Sequence, residues 1–118
     1  MSLLNLPLNV RFFMYKGVAD MRCSFNGLTN LVRGELQQSP ISGDMFIFFN
    51  RRRDQVKLLI FDRDGFLIYH KRLEQGSFEV PVIDDGADST ISAEQLQLIL
   101  QGIELNSVQH RKRYKLAM

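Results

Sequence analysis

The sequence predicts an α+β domain: a small antiparallel sheet of four to five strands packed with one long helix and a short C-terminal helix. Three observations carry that expectation. Met21, Phe25, Leu28, Val32 and Leu36 recur at helical spacing, which draws one apolar stripe along residues 21–37. Three short apolar runs then follow, separated by residues that favour turns. Finally, Ser92-Ala93-Glu94-Gln95 has the form of a capping box just before a second apolar stripe.

In chain order, residues 10–15 (VRFFMY) are aromatic-rich, bounded by Pro7 and Gly17, and read as a strand. Asp20 is the expected N-cap of the first helix, since its carboxylate suits the orphan N–H groups there. Gly27 and Gly34 each weaken that helix by up to about 1 kcal/mol relative to Ala, so packing must hold it until Ser39-Pro40 ends it. The apolar runs 45–49, 56–61 and 66–69 are nearly continuous, which predicts strands with both faces at least partly covered. Residues 50–55 form an exposed hairpin loop carrying RRRD. At the next turn, either Asp64-Gly65 is a two-residue loop or Gly65 closes a bulged three-residue loop. In both versions Gly65 supplies the positive φ. Residues 77–82 add a possible edge strand, and residues 84–88 a polar break. The last helix carries Leu96, Ile99, Leu100 and Ile103, with Ile91 and Leu96 as a hydrophobic staple and Gly102 at its end. One helix covers one sheet face; the C-terminal helix, a partner chain or both must cover the other, which leaves a homodimer open.

Length and composition restrict the class of protein. At 118 residues, 45% hydrophobic and 24% charged, the chain suits one globular domain over residues 1–105, with a basic tail over 106–118 that lacks apolar periodicity. The lone cysteine, Cys23, excludes an internal disulfide and a multi-cysteine zinc site, and fits a reducing cytoplasm. No signal peptide is recognisable, and no stretch approaches the ~20 apolar residues of a membrane span. A soluble cytoplasmic protein is expected. Its net charge of +2 hides a segregated pattern. Residues 51–72 balance to +4, residues 73–109 hold seven acids and no Lys or Arg, and residues 110–118 return to +4.

Nothing in the chain builds an active site. His70 ends an apolar strand and His110 lies in the tail, with no nucleophile or carboxylate at a recognisable spacing. Cys23 falls near the start of the first helix and reads as a small, partly buried residue rather than a reactive thiol. Asp62 and Asp64 are explained by turn chemistry, and Asp84, Asp85 and Asp88 by a polar loop. No phosphate-binding glycine loop, dinucleotide fingerprint or zinc spacing is present, so no cofactor and no metal is expected.

Nucleic-acid contact has more support. Arg51, Arg52 and Arg53 crowd one hairpin tip, and guanidinium groups bind phosphate oxygens as bidentate forks. A solvated loop whose charges discourage edge pairing is the competing explanation. Either version of the Asp64-Gly65 turn sets Lys57 opposite another cation, Arg72 or Lys71, a repulsion of about 0.2–1 kcal/mol that a bound anion or an acid such as Glu74 or Glu79 would relieve. The tail adds Arg111, Lys112, Arg113 and Lys115 around Tyr114, either a nucleic-acid arm or simply a soluble terminus.

Across residues 15–81 the chain resembles the accessory protein of the insertion-sequence 66 family of bacterial transposable elements, the product of their second open reading frame. The residues that carry the likeness are Asp20-Met21-Arg22, Phe25-Asn26-Gly27-Leu28, Pro40, Ser42-Gly43 and Phe46-x-Phe48. They continue with Asn50-Arg51-Arg52-Arg53-Asp54, Lys57-Leu58-Leu59, Asp64-Gly65-Phe66, Lys71-Arg72-Leu73-Glu74, Gly76 and Phe78. Leu96, Leu100 and Gly102-Ile103 also look like the family's closing helix. Cys23 departs from the lysine or other polar residue common there, and Ile60-Phe61 from an aromatic position usually filled by tryptophan or tyrosine. The resemblance implies a non-catalytic protein acting beside a separate transposase. It leaves two modes of action: DNA-backbone contact through the basic residues named above, or an adaptor that grips the transposase through the apolar second face of the sheet.

Overall fold

The computed structural model describes residues 9–81 and 89–101. Its elements follow the order β1 (Phe12–Met14), α1 (Phe25–Gly34), β2 (Met45–Phe49), β3 (Gln55–Asp62), β4 (Gly65–Arg72), β5 (Thr90–Ile91) and α2 (Ala93–Gln101). The five strands form one sheet in the order β4-β3-β2-β1-β5. An α+β domain is what the sequence predicts, but the sheet is mixed rather than antiparallel. β1 runs parallel to β2, with Phe12 beside Met45 and Met14 beside Ile47, while every other pairing is antiparallel. The cause is α1. A helix between two neighbouring strands carries the chain back to the end where it started, so the second strand repeats the direction of the first.

β2 lies at the centre, and all five of its residues are buried. Period-two alternation sends Phe46 and Phe48 toward α1, where they meet Phe13, Leu28, Val32 and Leu59. Met45, Ile47 and Phe49 point the other way, into a cluster with Val56, Leu58, Ile60, Phe78, Leu96 and Ile99. The second face is thus covered by α2 and by the segment around Phe78. Cover is thinnest at β4, an edge strand whose Phe66 and Ile68 pack in part on the α1-side cluster while Leu67 and Tyr69 on the other face are exposed.

α1 spans 10 residues, not the long helix expected over 21–37. Met21 and Leu36 still pack on the α1-side cluster, but from the flanking turns, so the apolar spacing reported burial beyond the helix itself. Asp20 is not the N-cap. Ser24 holds that position, and the Asp20 carboxylate instead accepts the Arg22 N–H at 2.9 Å and grips the Arg22 guanidinium at 2.7 Å. Those bonds hold the carboxyl down at about 2. Cys23 lies in this turn, half-buried, rather than inside the helix. At the far end Gln37 adopts φ +53° and turns the chain before Ser39 is reached.

A buried carboxylate locks β1 to β2. Asp44 Oδ1 accepts the Arg11 N–H at 3.0 Å, Oδ2 pairs with the Arg11 guanidinium at 2.9 Å, and Ser42 Oγ donates to Oδ2 at 3.0 Å. Burial alone would raise the Asp44 pKa, but the donors of Arg11 and Ser42 outweigh it and hold the carboxyl below its ordinary value.

The edge strand expected over 77–82 is absent from residues 77–81, which are irregular; Thr90–Ile91 is the edge strand instead. The capping box is present as read. Ser92 N–H donates to Gln95 Oε1 at 2.9 Å and Gln95 N–H to Ser92 Oγ at 3.0 Å, with Ile91 and Leu96 both buried beside it. Gly102 and Ile103 lie outside the described residues, as do the acidic loop residues Asp84, Asp85 and Asp88 and the tail.

Candidate nucleic-acid interface

The β2–β3 connection begins at Asn50, whose side chain organises the loop. Its carbonyl oxygen accepts the Gln55 N–H at 3.0 Å and its amide donates to Asp54 Oδ1 at 2.7 Å. The Arg53 N–H closes onto the Asn50 carbonyl at 3.1 Å, with Arg53 in the left-handed region at φ +58°. Behind the loop, Leu73 N–H donates to Asp54 O and Phe78 N–H to Arg53 O, both at 2.7 Å. The tip is therefore held from inside while Arg51, Arg52 and Arg53 stay exposed. Among the described residues none of the three guanidinium groups pairs with a carboxylate.

The structure divides the other predicted site residues. Lys57 is buried at 8% exposure, and its Nζ donates to the Cys23 carbonyl at 2.6 Å. Its ammonium therefore faces the α1 side of the core. Lys71 sits on the opposite face, with Nζ donating to the Leu100 carbonyl at 3.2 Å at the end of α2. Arg72 is exposed and lies 3.5 Å from Glu74. Arg111, Lys112, Arg113 and Lys115 fall outside the described residues.

The register argument behind Lys57 does not hold. Asp62 pairs with Gly65, so the two-residue loop is Arg63-Asp64 and Lys57 faces His70 rather than Arg72 or Lys71. Arg63, not Gly65, carries the positive φ, at +59°. Sliding the strands this way sets Phe61 directly against Phe66, ring centroids 5.0 Å apart in an edge-to-face pair, which the alternative registers would separate. Burial, then the charges of Lys57 and Arg72, push the His70 imidazole below its ordinary value. It also bonds Gln55 Oε1 at 2.9 Å. A neutral imidazole opposite Lys57 removes the repulsion for which an anion was invoked.

Sequence reading missed Lys16. Because β1 and β2 are parallel, the residues after β1 emerge beside the arginine tip, and a groove of about 350 Å³ there is lined by Tyr15, Lys16, Asn50, Arg51, Arg53 and Pro81. Nothing local marked this lysine; only the strand direction places it. Arg72, paired with Gln55 across the β3–β4 ladder, ends at the same end of the sheet. Lys16, Arg51, Arg52, Arg53 and Arg72 thus share one end. Among the described residues, no three His, Cys, Asp or Glu side chains gather as a metal site. No helix there is long and apolar enough to cross a membrane.

These features define a small mixed-sheet α+β protein with a cationic hairpin tip. Residues 10–110 match the family model described as IS66 Orf2 like protein, and the chain belongs to that family, which is not a known catalytic one. Its membership ties the chain to the accessory open-reading-frame products of IS66 insertion sequences. Two similar proteins, both from Sinorhizobium fredii (strain NBRC 101917 / NGR234), carry the names uncharacterized protein y4hO and uncharacterized protein y4jC. The first is 36% identical over 96 residues, 81% of this chain and 83% of the relative. The second is 34% identical over 92 residues, 78% of each. No solved structure matches the chain.

Proposed function

We propose that this protein is a non-catalytic transposition accessory that binds DNA backbone through Arg51, Arg52 and Arg53, flanked by Lys16 and Arg72. The tail residues Arg111, Lys112, Arg113 and Lys115 add charge to the same task, and the transposase of the same element is its protein partner. One observation carries the reading. Three exposed guanidinium groups stand on a loop fixed by Asn50 and Asp54, and no described carboxylate neutralises them. Such contacts position a protein on a duplex without reading its sequence. Lys57 has no part in the interface, and Lys71 contributes only through general charge.

Salt-dependent titration of duplex DNA tests the proposal. Each phosphate contact contributes roughly 0.9 to the slope of log affinity against log salt, so replacing all three arginines by alanine should lower that slope by about 2.7. An unchanged slope removes the tip from the mechanism. The adaptor alternative keeps part of the surface first assigned to it: α2 and Phe78 cover the second face over the central strands, while Leu67 and Tyr69 on β4 stay exposed there. Pull-down with the cognate transposase after nuclease treatment separates a protein-mediated from a DNA-mediated association.

A further inference from the structure

Among the described residues, β4 pairs with β3 on one side and stands at the edge of the sheet. It is eight residues long, and its middle is Leu67-Ile68-Tyr69, with Leu67 38% and Tyr69 39% exposed. Proteins usually blunt such an edge with proline, a bulge or a central charge. β4 pairs residue for residue with β3 from Gly65 to Arg72 and contains no proline, and its charges sit only at the ends, at Asp64 on one side and Lys71 and Arg72 on the other.

The ladder decides which backbone groups are available. Asp62 and Gly65 close the hairpin, and Leu73 N–H donates to Asp54 O at the other end in the same frame. Hydrogen-bonded and open positions alternate along an antiparallel pair. The N–H and C=O groups of Gly65, Leu67, Tyr69 and Lys71 therefore face β3. Those of Phe66, Ile68, His70 and Arg72 face outward.

We infer that β4 pairs antiparallel with β4 of a second copy of this chain, about a two-fold axis at Ile68. Outward groups meet only when even positions oppose even positions, which leaves a few registers near the strand centre. Only the strand residues and the adjacent Asp64 can oppose one another, since Arg63 already turns back toward β3. Centred on Leu67, Asp64 meets the partner's His70. Centred on Tyr69, Arg72 meets the partner's Phe66. Centred on Ile68, Arg72 meets the partner's Asp64 and Leu67 meets the partner's Tyr69, and symmetry repeats both pairs. Across residues 64–72, the last register alone brings opposite formal charges together, and it is the one selected. Leu67 and Tyr69 lie opposite Ile60 and Leu58, so the paired apolar side chains extend the α2-side cluster across the two-fold. Because the two β4 strands run in opposite directions, the arginine tips stand at opposite ends of the joined sheet.

The dimer does not depend on the nucleic-acid reading, and its test contains no DNA. Sedimentation equilibrium of the full chain over micromolar concentrations should show a reversible monomer–dimer exchange. Arg72→Asp sets like charges against the partner's Asp64 at two places and should weaken the dimer about tenfold. Adding Asp64→Arg should restore it, although the Arg72–Glu74 pair is lost in both variants. His70→Pro removes an outward N–H while sparing the β3 ladder, and should abolish the dimer with the circular dichroism unchanged. A chain that stays monomeric overturns the inference. So does a dimer indifferent to Arg72→Asp and His70→Pro, and so does failure of the double charge reversal to recover affinity.

Discussion

Lys57 Nζ and the Cys23 carbonyl oxygen, 34 positions apart in sequence, meet at 2.6 Å and tie the middle of β3 to the turn that launches α1. The same turn explains Gly27. A Cβ there would lie 3.0 Å from both Cβ and Sγ of Cys23, so only glycine lets the first turn of α1 close on it without displacing a neighbour. Two residues of the family likeness thus serve the fold. A buried lysine with its stem in the core and its ammonium on a carbonyl is a cross-brace.

Lys57→Met should accordingly cost stability and leave binding alone. Removing the donor strands a part-buried carbonyl, which costs about 1–3 kcal/mol. Urea denaturation measures that loss, while the DNA affinity of the folded variant should match the parent at equal salt. A matching fall in affinity would return Lys57 to the interface.

Acid should open the β1–β2 lock. The Asp44 carboxyl is held below its ordinary value, so the unfolded chain binds the proton more readily than the folded one. The stabilisation is complete above the unfolded carboxylate pKa, about 3.9, and is lost as pH falls toward and through the lower folded value. Asp44→Asn should flatten the acid limb of the stability curve. Because hydrogen bonds to a charged group contribute about 1.5–3 kcal/mol, it should also lower stability at pH 7 by a similar amount.

Positive φ at two arginines separates strain from function. Arg63, at φ +59°, sits in the β3–β4 turn, and Arg63→Gly should raise stability by roughly 1 kcal/mol through relief of a left-handed side chain. Arg53 is at φ +58°, so Arg53→Gly should relieve similar strain yet lower the salt slope of DNA binding by about 0.9. Thermal unfolding paired with titration reads both quantities on each variant.

The reciprocal cap of α2 offers a local check. Ser92→Ala and Gln95→Ala should each destabilise by about 1 kcal/mol. The double variant should cost less than the two together, since each bond helps to hold the other's geometry, and a double-mutant cycle in denaturant measures the difference.

Some features were legible because their cause is local. Ser92 and Gln95 lie within one turn, and the unbroken apolar run at residues 45–49 had nowhere to go but a strand covered on both sides. The arginine tip belongs here too, since Asn50 and Asp54 build it from inside a single loop. The Arg63-Asp64 turn was misread because glycine is the locally favoured residue for positive φ, whereas the Phe61–Phe66 contact and the full eight-residue ladder outweigh that preference. The same slide replaced the expected opposition of Lys57 to Arg72 or Lys71 with Lys57–His70. Similarly, the stripe from Met21 to Leu36 counted residues that reach the core from turns as though they were helical.

Local sequence sufficed for the α+β class, the capping box at the start of α2, a strand over residues 45–49 and the crowding of positive charge at residues 51–53, because each follows from residues within a few positions of one another. Tertiary structure alone decided that β1 and β2 run parallel, that Lys16 stands beside the arginine tip, and that Lys57 is spent inside the molecule. Those outcomes depend on strand direction and on which face a register turns inward. Both are set by burying the central strands between α1 and α2, not by any short stretch of chain.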